Sequence, residues 1–128
     1  MSAAIYASIF TLIIVGLSLK VINNRRKYKV SVGDGGVEEL RIAMATQSNA
    51  VEYLPIGLLL LLALELNGAG AWLVHGFGVL LIAGRYFHYK GMFARRLRLR
   101  VLGMKITLFS LLTLAFANLG YLARLWWT

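Results

Sequence analysis

Asn49, Glu52 and Tyr53 stand at the head of one of the most apolar stretches of this 128-residue chain, "NAVEYLPIGLLLLLALEL". On a helix, Asn49 and Glu52 are three residues apart and Asn49 and Tyr53 four, so the three share a face. Gln47 points roughly the opposite way, toward whatever packs on the other side. A carboxylate at the edge of an apolar medium costs several kcal/mol unless it is paired or faces a wet cavity. Glu52 therefore calls for a cation, either an arginine of the chain or the ammonium group of a ligand. The candidates for anion chemistry lie in two basic stretches, "NNRRKYK" and "ARRLRLR". A guanidinium keeps its charge and can lower the pKa of a neighbouring thiol, which turns a poor nucleophile into a thiolate. The chain has no cysteine, so any such thiol must arrive with a ligand.

These residues need elements to hold them. With 59% hydrophobic residues and a single proline, the chain is too apolar for a soluble domain of its size and fits one polytopic helical membrane domain over residues 1–128. Four spans are expected, at Ala3–Ile22, Ala50–Leu66, Gly70–His88 and Leu102–Trp127, each long enough for a hydrocarbon core of about 30 Å. The first has no basic stretch before it and no small-residue cleavage site, so it is a retained span. From Val37 nothing stops helix before Asn67, which gives a second helix of about 30 residues, longer than the core is thick. "SVGDGG" supplies a flexible turn before it, with Asp34 placed to cap this second helix.

The net charge of +9 sits between the spans, where it sets topology and does not mark a nucleic-acid surface. Arg25, Arg26, Lys27 and Lys29 fill one loop; Lys90, Arg95, Arg96, Arg98 and Arg100 fill another, with Lys105 beyond. Both loops are expected on the cytoplasmic side, both termini on the other, with Trp72, Trp126 and Trp127 at the outer interface. His75 and His88 have no spacing that suggests a metal site, and no metal is expected. His75 and Asn118 read as polar packing residues, and Gly76, Gly78 and Gly84 as points of close helix approach. Pro55 frees the carbonyl of Val51 and favours a bend one turn past the polar face.

"RIAMATQSNAVEYLP" resembles the signature of the MAPEG family, the membrane-associated proteins in eicosanoid and glutathione metabolism. "VINNRRKYKVSVG" is similar to the basic first loop of its leukotriene-forming members, and "AGRYFHYKG" to the end of its third span. The likeness covers essentially the whole chain and is greatest to the small bacterial branch. It implies a homotrimer of four-helix subunits in the inner membrane, with glutathione bound between adjacent subunits. Asn49, Glu52 and Tyr53 match glutathione-contacting positions, Glu52 meeting the amino group. Gln47 and Arg25 match positions that reach the ligand from the neighbouring subunit, and Arg26 one that handles the thiol. Aligning the arginine and glycine of the third stretch puts His88 at a ligand-contacting tyrosine position; aligning "RYF" puts Tyr86 there. The arginine that many transferase members carry four residues before the asparagine is Ala45 here, and Arg41, one turn earlier, is placed to substitute. Arg98 is the nearest match to the thiolate-stabilising arginine, with Arg96 and Arg100 as the alternatives in register.

The implied activity is glutathione transfer, with peroxidase activity as a variant, acting on lipophilic small molecules that arrive through the lipid. The competing readings are a lipid or thiol binder without turnover, and a structural bundle in which Glu52 pairs with an arginine. "RRLRLR" has a plainer reading as well, as a loop lying against anionic lipid headgroups.

Overall fold

A computed structural model describes residues 1–127. They form an all-α bundle of four helices: α1 (Ala3–Tyr28), α2 (Glu38–Leu66), α3 (Ala71–Phe93) and α4 (Leu97–Trp126). Large apolar side chains such as Leu12, Leu59, Leu108, Phe109 and Phe116 are exposed around the bundle, the surface a lipid-facing protein presents. α1, α2 and α4 are each long and apolar enough to cross a membrane. The third expected span is present as a 23-residue helix, but His75, Arg85 and His88 interrupt its apolar run and it is not among those three. Its polar groups turn inward: Arg85 is fully buried, His88 is buried, and His75 Nδ1 lies 2.8 Å from the Tyr6 hydroxyl of α1.

The helices run beyond the apolar segments that announce them. α1 continues through Arg25, Arg26 and Lys27 to end at Lys29, whose φ of 55° and backbone N–H to Arg25 O close the last turn. α4 begins at Leu97, with Arg96 extended before it, so the alternating "LRLR" stretch is helical and Arg98 and Arg100 point to different sides of the axis. α2 begins at Glu38 with Val37 before it and no side-chain cap. The expected cap of α2 by Asp34 is therefore not formed. Its Oδ1 accepts instead from Gly36 N at 2.9 Å, closing a turn within the loop.

Packing is tightest between α3 and α4, and α1 leans on α2 while barely meeting α3. Small residues permit the α3–α4 approach. A Cβ on Gly103 would lie 2.6 Å from both Gly84 O and His88 Cα, one on Gly91 would lie 2.6 Å from Arg100 Cα, and one on Gly84 2.7 Å from Thr107 Oγ1. Gly78 leaves room for the Tyr6 ring, whereas Gly76 faces open space and makes no close approach. At the end carrying the termini, Glu65 Oε2 accepts from Ala3 N at 3.0 Å, and Asn118 Nδ2 donates to Leu60 O at 3.0 Å. At the end carrying the basic loops, Tyr28 donates to Glu39 Oε2 at 2.7 Å and Arg95 pairs with Glu38 at 3.6 Å.

Candidate ligand-binding site

At the basic end, α2, α3 and α4 splay around a cavity of about 490 Å³, within the range of roughly 300–1,000 Å³ usual for small-molecule sites. α2 contributes Glu38, Arg41, Ala45 and Asn49, which lie three or four residues apart and form one stripe. α3 contributes His88, Gly91 and Met92, and α4 contributes Leu97, Arg100 and Met104. Arg95, held at φ 55° in the turn between these helices, closes the rim. The lining thus has three guanidiniums against one carboxylate, with apolar walls below. Glu38 partly neutralises two of them, standing 3.6 Å from both Arg41 and Arg95, while Arg100 has no ion pair among the described residues.

His88 is 3% exposed, and its Nδ1 has no hydrogen-bond partner. Leaving a buried polar atom unsatisfied costs about 1–3 kcal/mol. Beneath the floor lies Arg85, with no exposed surface. Its Nε and Nη2 reach Thr107 Oγ1 at 3.2 and 2.9 Å, Nη1 donates to Asn49 Oδ1, and Nη2 lies 3.2 Å from Met104 Sδ. The guanidinium carbon is 5.9 and 5.8 Å from the ring centres of Tyr53 and Tyr89, within cation–π range. One side chain of α3 thereby ties α2 to α4, and no carboxylate pairs with it among the described residues.

The residues expected to act together divide into groups. Asn49 lines the cavity, with its oxygen committed to Arg85, and Tyr53 packs on the same guanidinium without reaching the cavity wall. Glu52, one turn beyond Asn49 on the same face but outside the cavity lining, is exposed and has no ion pair among the described residues. The structural pairing of Glu52 with an arginine of its own chain is therefore not formed. Gln47, on the opposite face as expected, donates to Ser18 Oγ of α1 at 2.9 Å. Arg25 donates to Gly33 O at 2.7 Å and approaches Met44 Sδ at 3.6 Å, so in the single chain it fastens the first loop. Arg26 is exposed on the same turn. Between the two registers of the third stretch, His88 lines the cavity, whereas Tyr86 is 57% exposed beside Lys90 and Phe87. Arg41 and Ala45 both line the cavity, one turn apart on α2.

Arg98 lines a separate hollow with Lys105 on the outer face of α4, whereas Arg100 lines the cavity. Residues two apart on a helix point about 200° from each other, so only one of this pair can face inward. Arg85 was missed as a site residue, although an arginine inside "VLLIAGRYF" is itself the signal: an ionisable group within a span marks a polar network.

Asn49→Ala is expected to remove one of the charged hydrogen bonds of Arg85 and to cost about 1.5–3 kcal/mol. Thermal unfolding in detergent checks this; an unchanged midpoint would show that Asn49 holds no strain-bearing bond.

Comparison with known proteins gives two concordant findings. The sequence model of the MAPEG family matches residues 3–120. "Inner membrane protein YecN" of Escherichia coli K12 is 43% identical over 122 residues, covering 95% of this chain and 93% of that protein. The protein of the same name from Escherichia coli O6:H1 matches to the same extent.

Proposed function

Because the chain belongs to the MAPEG family, we propose that it is an inner-membrane glutathione-binding protein that ionises the thiol for transfer to lipophilic electrophiles. The observation that carries this reading is the guanidinium-rimmed cavity at the membrane edge, with Asn49 and His88 in its wall. Its charge suits a peptide with two carboxylates and a thiol. Arg41 and Arg95 face the carboxylates. Arg100, the rim guanidinium without an ion pair, holds the sulfur as thiolate once the thiol proton has passed to water. The thiolate attacks an electrophilic carbon, a sulfur–carbon bond forms, and the displaced group leaves with the electron pair of its own bond. Met92, Leu97 and Met104 give the apolar wall along which a lipid-dissolved electrophile enters.

The working unit in this reading is a homotrimer. Glu52 lies about 21 Å along α2 from its start and shares its surface with Val51, Ile56 and Leu59, all exposed. A bare carboxylate among apolar side chains suits neither lipid nor water, and a second copy carrying a ligand's ammonium group would meet both needs. Glu52→Gln is then expected to weaken glutathione binding more than Gln47→Ala, with the oligomer intact by sedimentation. Equal effects would remove the special role of the carboxylate.

Titration of purified protein with glutathione, following the ultraviolet absorbance of the thiolate, tests the assignment directly. Arg100→Leu is expected to lower the bound thiolate fraction at neutral pH by about tenfold, as loss of an adjacent cation should, while Arg98→Leu leaves it unchanged. Absence of binding at millimolar glutathione would overturn the function; equal losses in the two variants would overturn the assignment of Arg100. A lipid or thiol binder without turnover is the alternative, favoured if the wild-type protein binds glutathione and yet transfers it to no electrophile.

A further inference from the structure

On the outer face of α4, a hollow of about 400 Å³ is lined by Leu97, Arg98, Val101, Leu102 and Lys105. The last four are spaced three, four and seven residues apart, so they form one stripe. Both cations are exposed, and neither takes part in an ion pair among the described residues. That distinguishes them from Arg95 and Arg41, which Glu38 partly neutralises. Lys105 lies about 12 Å inside the start of α4, on a helix long and apolar enough to span. An ammonium at that depth on an outward face must turn back along its stem toward the interface. That brings it toward the level of Arg98. Deeper along the same stripe, Leu108, Phe109 and Leu112 are 50%, 59% and 57% exposed, forming an apolar track continuous with the hollow.

We propose that Arg98 and Lys105 clamp the phosphate of an anionic diacyl phospholipid, whose acyl chain lies along Val101, Leu102, Leu108 and Phe109. The charge pattern selects the lipid class. Two unneutralised cations suit a phosphodiester with a neutral or anionic headgroup, whereas a zwitterionic lipid brings its own cation into the clamp. The hollow adjoins the proposed glutathione cavity at Leu97, but Arg98 and Lys105 line no part of that cavity, so this site stands whether or not the proposed transferase reading holds.

The test is native mass spectrometry of the whole protein in detergent micelles, titrated with phosphatidylglycerol or with phosphatidylcholine of the same chains. Wild type is expected to retain one phosphatidylglycerol per chain in preference to phosphatidylcholine. Arg98→Gln with Lys105→Gln is expected to weaken phosphatidylglycerol binding about 30-fold, since each cation near an anionic headgroup contributes on the order of fivefold. Lys105→Gln alone is expected to weaken it about fivefold, which keeps the test available if the double variant does not fold. The exchanged pair, Arg98→Lys with Lys105→Arg, should bind as wild type does. Lys29→Gln with Lys90→Gln removes the same charge elsewhere and should leave binding unchanged. Wild-type retention by the Gln variants would overturn the proposal. So would an equal loss in the Lys29 and Lys90 control, which would mean a diffuse field, or displacement of the lipid by inorganic phosphate, which would mean a free-anion site.

Discussion

Arg85→Ala is expected to destabilise the bundle by about 3–5 kcal/mol, the range for removing a buried, hydrogen-bonded charged side chain from its network, and to abolish ligand binding with it. The side chain is the largest among the fully buried ones and bridges three helices through Asn49, Thr107 and Met104. Truncation leaves the acceptors of Asn49 and Thr107 facing a void, and each unsatisfied buried group costs about 1–3 kcal/mol before any cavity term. Arg85→Met separates the two contributions, since it restores most of the volume and none of the hydrogen bonds. It should recover part of the stability and none of the ligand binding, because Asn49 loses the bond that orients it in the cavity wall. Thermal unfolding in detergent and glutathione titration read the two effects independently. An Arg85→Ala protein as stable as wild type would show that the helices hold together without this node.

Gly103→Ala should be among the most damaging single-methyl additions in the chain, together with Gly91→Ala, whose Cβ would meet the Arg100 backbone. A Cβ on Gly103 would run into the backbone of α3 at His88 and Gly84, and backbone cannot swing aside as a side-chain tip can. Overpacking of this kind costs about 1–3 kcal/mol and more where rigid elements must separate. The separation also has a functional signature. His88 and Arg100 face the same cavity from the two helices that Gly103 lets close, so the variant should lose glutathione affinity even where enough protein survives to assay. Gly76→Ala is the matched control on α3: nothing lies within 4 Å of the added carbon, so its unfolding midpoint should stay with wild type. Equal midpoints for the two variants would mean that the α3–α4 contact is loose in the membrane.

What the sequence announced and what it hid differ in kind. Helices advertise themselves through long apolar runs, so four elements and their approximate places were legible. Their ends were less so, because charged residues continue a helix as readily as apolar ones stop lining it; α1 and α4 each extend through basic stretches that look like loop. The common face of Asn49 and Tyr53 came from spacing, and both do approach Arg85. The sequence could not say that a partner 36 residues further along the chain would occupy the asparagine first. Nor could it choose among Arg96, Arg98 and Arg100. That choice depends on the rotation of α4 about its axis, which the close α3–α4 approach at Gly84, Gly91 and Gly103 sets and no apolar period reveals. Glu52 is the residue a single chain explains least, since its own chain offers it no cation among the described residues.

The weak contact between α1 and α3, set against the close pairing of α1 with α2 and of α3 with α4, divides the bundle into two helical hairpins. During synthesis the first hairpin emerges complete while the second is still being made, so Asn49 has to wait for Arg85 to arrive from a later part of the chain. The first hairpin answers most of its own polar groups, Gln47 through Ser18 and Tyr28 through Glu39, but the cavity, walled by α2, α3 and α4, comes into being only when the two halves dock.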